Sequence, residues 1–185
     1  MTETPVRVLL VDDDDLMRAG LKAVLSSDAR VEVVGEAGSG RAAVERVRTL
    51  HPDLVLMDVR MPDLDGIAAT REVIAASPEV KVVILTTFEQ DDYIFGALNA
   101  GASGFLLKRS GPEELLAAIQ TVAAVYPRRG QHTDPALASF TVVTSEYHAG
   151  ALSGVIGVIG PTRMPYEKIV SLVNHTSRML AELLD

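Results

Sequence analysis

Residues 52–66 read PDLVLMDVRMPDLDG, and this stretch decides the fold. Residues 54–57 are four consecutive apolar residues, a length typical of a strand, and the acidic Asp58 follows them directly. A turn segment containing Pro62 and Gly66 comes next, and an amphipathic run with helical spacing begins at Ile67. A strand that is apolar at every position is typical of a parallel sheet covered by helices on both faces.

The same strand–helix unit recurs along the first 125 residues. Further short apolar runs occupy residues 6–11, 31–34, 82–85 and 105–107. Amphipathic segments occupy residues 16–25, 41–50, 67–76, 93–100 and 112–125. Five such repeats predict an α/β fold, a doubly wound five-stranded parallel sheet, over residues 1–125.

Composition and charge narrow the class of protein. The chain has 185 residues, 48% of them hydrophobic, no cysteine and a net charge of −8. Residues 1–125 carry 12 basic and 20 acidic residues, and residues 126–185 carry five of each. Neither part has the basic surplus of a nucleic-acid-binding surface, so direct nucleic-acid binding is not expected. Without a long apolar run or a signal peptide, we expect a cytoplasmic protein that does not enter a membrane.

Polar side chains follow four of the five apolar runs. Asp12 and Asp13 come after the first run, Asp58 after the third, Thr86 after the fourth and Lys108 after the fifth. Because ligands of open parallel sheets bind at the carboxyl ends of the strands, we expect these side chains to meet. Each residue taken singly is as easily a turn or capping residue, and Asp14 or Asp15 is expected to cap the first helix. Agreement at four strand ends favours a functional site.

The residue types at this edge indicate phosphoryl chemistry. Clustered carboxylates repel one another unless a cation joins them, and a small set of oxygen ligands suits Mg²⁺. A carboxylate can attack phosphorus and form an aspartyl phosphate. An ammonium and a hydroxyl, from Lys108 and Thr86, are suited to bind the transferred group.

Four segments resemble the receiver domains of LuxR/NarL-type two-component response regulators. They are RVLLVDD at residues 7–13, PDLVLMDVRMPDLDG at 52–66, LTTF at 85–88 and AGASGFLLK at 100–108, and the resemblance covers residues 5–125. It implies a flavodoxin-like or CheY-like fold and phosphorylation by a sensor histidine kinase. Arg109 stands where many receivers have a proline, so the cis peptide of those receivers is not expected here.

The resemblance also implies a role for individual residues. It makes Asp58 the phosphoacceptor and Lys108 the partner of the phosphoryl group, with Thr86 and Phe105 as the switch pair. Mg²⁺ is implied as the cofactor, with Asp13 as its direct ligand. The implied metal-binding residues are Asp12, Asp13, Asp58 and the backbone carbonyl of Arg60.

The repeat ends after residue 125. Residues 126–136, which include YPRRGQHTDP, predict a linker, and residues 137–185 predict a small α+β tail. Residues 140–143 and 155–159 are the expected strands of a hairpin, and Gly160-Pro161 is expected to end the second strand. A helix with an apolar stripe from Tyr166 to Leu184 is expected after it.

The tail, from about residue 138 to 185, resembles the C-terminal end of HrcA-type heat-inducible transcription repressors, mainly in GVIGPTRM at residues 157–164. This end belongs to a GAF-like regulatory domain in that family. The abrupt junction leaves a natural fusion, an engineered chimera and a composite sequence open. A hairpin and one helix form a small core, so we expect the tail to pack on another surface and the chain to self-associate.

The sequence leaves more than one function open. The first is a phosphorylation-controlled signalling module, not a classical enzyme, that switches its association state or output. The second is a transcription regulator acting through its tail, although no tri-helical pattern or basic recognition helix follows residue 125. A small-molecule phosphatase is a third, but it needs a nucleophile and acid pair on one strand, and here they follow different strands.

Overall fold

The computed structural model describes residues 4–87, 96–97, 99–125, 140–149 and 152–161, with positions 175, 178 and 179. The strands and helices follow each other in the order β1 (Val6–Val11), α1 (Asp15–Leu25), β2 (Val31–Ala37), α2 (Gly40–Leu50), β3 (Leu54–Asp58), α3 (Gly66–Ala76), β4 (Lys81–Thr86), β5 (Gly104–Leu107), α4 (Pro112–Val125), β6 (Phe140–Ala149) and β7 (Leu152–Pro161).

The first five strands form one sheet in the order β2-β1-β3-β4-β5, and each neighbouring pair is parallel. The predicted doubly wound α/β fold is therefore confirmed. The strand order reverses between β1 and β3, and in such sheets this reversal opens the crevice that binds ligands. The carboxyl ends of β1 and β3 thus define where a site is expected.

The core lies on both faces of this sheet. Alternate residues of a strand point to opposite faces, so Val11 packs with α2 and α3 on one side, whereas Leu10 packs with α1 and α4 on the other. Full burial of one such side chain contributes about 1.5–3 kcal/mol. Burial on both faces is the physical reason for the continuous apolar runs in the sequence.

Side-chain caps begin three of the helices. Asp14 accepts hydrogen bonds from the backbone N–H groups of Leu16 and Met17, which confirms an acidic cap on α1. Ser39 and Asp65 cap α2 and α3 in the same way. Caps of this kind contribute about 1 kcal/mol each. Each capped helix follows a strand closely, so the caps also fix the loops at the carboxyl edge of the sheet.

The predicted elements match the structure with small shifts of their ends. Within the five-stranded sheet the largest shift is in β2, which runs to Ala37 rather than ending at residue 34. Of the helix predicted at residues 93–100, Gly96, Ala97 and Asn99 are helical and Ala100 is in a turn, and the rest lies outside the described residues. Among the described residues no peptide bond is cis, in line with the expectation at Arg109.

The tail contains the predicted hairpin. Strands β6 and β7 pair antiparallel from Phe140 opposite Pro161 to Ala149 opposite Leu152, so both are longer than predicted. The second strand ends at Pro161, as expected. Strand β6 comes within 8 Å of β5, measured between Cα atoms, without joining its sheet. The predicted helix from Tyr166 to Leu184 lies outside the described residues except at positions 175, 178 and 179.

Within the described part of the chain, no helix has the length and apolar character needed to cross a membrane.

Candidate functional site

Strand register brings the predicted polar residues to one edge of the sheet. Val11 pairs with Met57, so Asp12 and Asp58 come next on adjacent strands. Asp58 in turn pairs with Leu85, which precedes Thr86. The Lys108 backbone N–H donates a hydrogen bond to the Thr86 carbonyl (2.8 Å). The strand ends therefore form a continuous row, from the acidic residues after β1 to the lysine after β5.

Lys108 forms ion pairs with two carboxylates. Its Nζ lies 2.6 Å from Asp12 Oδ2 and 3.0 Å from Asp58 Oδ2. The two carboxylate side chains are 1% and 7% exposed, and the lysine side chain is 11% exposed. Buried charges of this kind need partners, because transferring an unpaired charge out of water is costly. The lysine therefore neutralises part of a buried acidic cluster.

Burial and neighbouring charges perturb both pKa values in this pair. Burial raises the pKa of the Asp58 carboxyl above its usual 3.8; the nearby Lys108 ammonium opposes this change and the Asp12 carboxylate adds to it. Burial alone would lower the pKa of Lys108, but its bonds to Asp12 and Asp58 outweigh burial and hold that pKa above 10.5. Lys108 is therefore a fixed cation at neutral pH, and it faces, in Asp58, a carboxylate that burial makes costly to ionise.

Three carboxylates converge at the crevice. One oxygen each of Asp12, Asp13 and Asp58 lies within 4.8 Å of the others. Asp12 and Asp58 are buried, whereas Asp13 is exposed, so the cluster opens to solvent on one side. Three carboxylates and one ammonium leave two negative charges uncompensated, and the ligand atoms are oxygens. This donor set fits a divalent cation such as Mg²⁺.

The remaining predicted site residues lie around this cluster. Thr86 is buried at the end of β4, directly after the residue that pairs with Asp58. Phe105, on β5, pairs with Ile84 and is partly buried against the core on the α2 and α3 side. Arg60 is exposed in the segment between β3 and α3. The structure thus brings Asp12, Asp13, Asp58 and Lys108 together, with Thr86 beside them and Phe105 two strand positions further back, level with Ile84.

A tight loop after Asp58 was not anticipated from the sequence. The Gly66 backbone N–H donates to the Val59 carbonyl (2.8 Å), which folds the loop back onto the end of β3. A Cβ atom at Gly66 would collide with the Asp58 carbonyl oxygen. A side chain is therefore excluded by the backbone of the central acidic residue itself. The glycine was visible in the sequence, but nothing in the pattern indicated what it approaches.

Two further contacts were missed. The resemblance makes Lys108 the partner of a phosphoryl group on Asp58, and the structure adds an ion pair with Asp12 that is shorter than the one with Asp58. It also places the Arg18 guanidinium of α1 against the Asp12 carbonyl, at 2.6 Å from Nη1. Arg18 follows Asp14 and Asp15 at helical spacing, and in the sequence this spacing was the available indication that its side chain lies beside the acidic run.

Two family models match the chain. The response regulator receiver domain model matches residues 8–120, and the HrcA protein C terminal domain model matches residues 112–170. The second match begins earlier and ends earlier than the segment from about 138 to 185 predicted from the sequence. Residues 112–120 are common to both matches.

Curated relatives match about two thirds of the chain. The uncharacterized transcriptional regulatory protein YxjL of Bacillus subtilis is 42% identical over 123 residues, which are 66% of this chain and 56% of that protein. Response regulator GacA of Pseudomonas viridiflava is 43% identical over 119 residues, covering 64% of this chain and 56% of that protein. The matched part is thus little more than half the length of these relatives.

A solved receiver domain and a solved response regulator match a similar share of the chain. The signal receiver domain of the response regulator NarL from Mycobacterium tuberculosis is 36% identical with a TM-score of 0.63, covering 65% of this chain and 98% of that one. A LuxR-family response regulator from Aurantimonas sp. SI85-9A1 is 32% identical with a TM-score of 0.63, covering 73% and 94%. By its fold, its family model and these relatives, the chain belongs to the response regulator receiver domain family of two-component systems.

Proposed function

We propose that this chain accepts a phosphoryl group on Asp58 from a sensor histidine kinase, in a Mg²⁺-dependent reaction, and thereby switches its association state or output. The observation that carries the proposal is the placement of the Asp58 carboxylate. It ends the central strand, 3.0 Å from a lysine ammonium and within 4.8 Å of two more carboxylates. Few structural roles require three carboxylates at such separations, because they repel one another.

The transfer balances with the groups present. An Asp58 carboxylate oxygen attacks the phosphorus of a phosphohistidine, the P–N bond breaks, and the histidine nitrogen regains a proton. Lys108 is positioned to bind a phosphoryl oxygen, because its ammonium is already 3.0 Å from Asp58. Asp12, Asp13, Asp58 and the Arg60 carbonyl would hold Mg²⁺, whose charge lets a carboxylate meet the anionic phosphoryl group.

The switch proposal concerns the row of strand ends. A phosphoryl group on Asp58 offers new acceptor oxygens to the Lys108 ammonium and to the Thr86 hydroxyl on the next strand. Movement of Thr86 toward that group leaves space that Phe105, now partly buried, can enter. The same movement alters the surface near β5, where strand β6 of the tail approaches.

Phosphorylation by acetyl phosphate tests the assignment directly. Intact-mass measurement after treatment with Mg²⁺ should show one added phosphate in the wild-type chain and none in Asp58→Asn. Asp53→Asn is a matched control, because Asp53 precedes the same strand at its opposite end and accepts a hydrogen bond from the Arg7 backbone N–H (2.9 Å). Phosphorylation of Asp58→Asn at the wild-type level would refute the assignment. Phosphorylation of the wild-type chain and of Asp53→Asn should stop when EDTA replaces Mg²⁺.

We also propose that the tail mediates self-association. The sequence from Tyr166 to Leu184 carries an apolar stripe. A two-stranded hairpin buries too little apolar surface to stabilise the tail by itself. Light scattering on the full chain should show an oligomer, and a chain ending at residue 130 should be a monomer that still accepts phosphate. A monomeric full chain whose tail resists proteolysis would instead indicate docking on its own receiver, in agreement with the approach of β6 to β5.

The alternative output is regulation of transcription. It is favoured by the printed name of the YxjL relative, a transcriptional regulatory protein, although this chain matches only 56% of that protein. Residues 126–185 carry five basic and five acidic residues, so their net charge is zero, which argues against DNA binding by the tail itself. A gel shift at moderate salt, with and without acetyl phosphate, separates the two outputs.

A further inference from the structure

The Arg18 side chain joins three parts of the fold beside the acidic cluster. Its Nη1 donates a hydrogen bond to the Asp12 carbonyl (2.6 Å), and its Nη2 pairs with the Asp15 carboxylate. Its Nε lies 3.7 Å from Glu36 Oε2 on β2. The side chain is only 15% exposed. A charged group held this far from water needs partners, and the planar guanidinium directs two hydrogen bonds, to Asp12 and Asp15, while its buried Nε has only the ionic contact with Glu36.

Besides the ion pair of its Oδ2 with Lys108, Asp12 is held at three further points. Its backbone N–H donates to the Ala37 carbonyl (3.1 Å), and its Oδ1 accepts from the Asp14 backbone N–H (3.0 Å). Arg18 holds the carbonyl, the third of these points. The carbonyl belongs to the peptide that joins Asp12 to Asp13. Fixing that peptide therefore also limits where the exposed Asp13 carboxylate can point.

We infer that Arg18 is a positioning residue for the divalent-cation site. It acts through the Asp12–Asp13 peptide and does not contact the cation. The inference rests on the proposed function, because it assumes that Asp12 and Asp13 bind a cation. Groups that orient metal ligands from outside typically change metal affinity by about 10–100-fold when they are mutated. We expect the affinity for Mg²⁺ to fall by about 10-fold, near the lower end of this range, because two other hydrogen bonds still hold Asp12.

Electrostatics alone predicts the opposite result. The guanidinium is a positive charge close to the site, so its removal should strengthen the binding of a cation. A lysine at position 18 keeps that charge and loses the planar fork. The pair Arg18→Lys and Arg18→Met therefore separates positioning from charge. Positioning predicts weaker binding in both variants, whereas a pure charge effect predicts no change in the first and a gain in the second.

The test is Mg²⁺ titration of the unphosphorylated chain, followed by amide NMR. Lys22→Met is the matched control, because Lys22 Nζ pairs with Glu36 Oε1 (2.6 Å) and makes no contact with Asp12 in the described structure. We expect about 10-fold weaker binding in Arg18→Lys and Arg18→Met, and wild-type affinity in Lys22→Met. Saturating Mg²⁺ should restore the rate of phosphorylation by acetyl phosphate in Arg18→Lys, since the effect is on affinity and not on the transfer.

Thermal unfolding of each variant first establishes that it is folded at the titration temperature. If Arg18→Met does not fold, Arg18→Lys decides the question. Wild-type affinity in Arg18→Lys, or stronger binding in Arg18→Met, would overturn the inference and leave the proposed function intact. Absence of Mg²⁺ binding in the wild-type chain would instead overturn the proposed function.

Discussion

Replacement of Lys108 by methionine should destabilise the chain in the absence of divalent cations. Methionine keeps an unbranched stem and removes the charge. The Asp12 and Asp58 carboxylates, which lie 2.6 and 3.0 Å from the ammonium, then lose this partner while they remain 1% and 7% exposed. They also lie within 4.8 Å of one another and of Asp13. The variant therefore contains a cluster of buried negative charges without its lysine.

The size of the effect follows from this burial. Removing one partner of a buried ion pair costs about 3–5 kcal/mol. Asp13 is exposed and admits water to one side of the cluster, so we expect the lower end, about 3 kcal/mol. Lys22→Met provides the contrast. Its ion pair with Glu36 has the same 2.6 Å separation, but the lysine side chain is 53% exposed, and exposed pairs contribute less than about 1 kcal/mol.

Urea denaturation at pH 7 in EDTA measures both free energies of unfolding. Added Mg²⁺ should recover most of the Lys108→Met deficit, because a divalent cation binds the folded cluster and replaces the missing positive charge. Lowering the pH toward 4 should shrink the deficit as well, because burial raises the pKa of the Asp58 carboxyl and its protonation removes one of the repelling charges. Asp12→Asn in the Lys108→Met background should recover stability for the same reason. A Lys108→Met chain whose free energy of unfolding in EDTA lies within about 0.5 kcal/mol of the wild-type value, the size of an ordinary surface substitution, would refute the reasoning.

Four other substitutions test the site and the fold that supports it. Burial raises the pKa of Asp58 above 3.8, so the ionised carboxylate lowers the stability of the folded chain above that pH. Asp58→Asn should therefore stabilise the cation-free chain at pH 7 but not at pH 3, as measured by urea titrations. The Arg30 side chain lowers the pKa of Asp28 to about 2, so the loss of stability in Asp28→Asn should be present at pH 5 and fade as pH falls from 3.8 to about 2. Gly66→Ala should lower the stability of the chain by about 1–3 kcal/mol, because the new Cβ collides with the Asp58 carbonyl. Gly20→Ala, in open space on α1, should raise the stability by about 0.5–1 kcal/mol. Thermal melts of the two variants check both signs.

The sequence predicted the central part of the sheet more closely than its edge. Strand β3 is buried at every position, so its apolar run and its observed bounds nearly coincide. Strand β2 lies at the edge of the sheet, and from Val33 to Glu36 it is only partly buried. Polar residues and a glycine are tolerated there, because pairing with β1 depends on the backbone. A hydrophobic pattern therefore ends at residue 34 although the strand continues to Ala37.

The site residues were predictable because they occupy the ends of strands, but their pairing was not. Which carboxylate Lys108 reaches depends on strand order. Strand β4 separates β5 from β3, so the lysine stem must extend over the end of β4 to meet the acidic residues. Its contact with Asp12 is the shorter of the two ion pairs, although Asp12 follows the more distant strand β1. Which carboxylate a side chain reaches depends on the three-dimensional arrangement of the strands, and the spacing of residues along the sequence does not indicate it.

The overlap of the two family matches can be interpreted from the burial of α4. Residues 112–120 belong to both matches, and α4 extends from Pro112 to Val125. Leu115, Ile119 and Val122 on this helix are 5%, 0% and 3% exposed, packed on the face of the sheet that includes Leu10. An amphipathic helix has one apolar stripe to bury, and here the receiver sheet occupies it. After Val125 the described part of the HrcA match is the β6–β7 hairpin, and two strands rarely form a stable core by themselves. The hairpin therefore needs a second surface, which is the physical ground for expecting the tail to act through contacts with a receiver, its own or that of another copy.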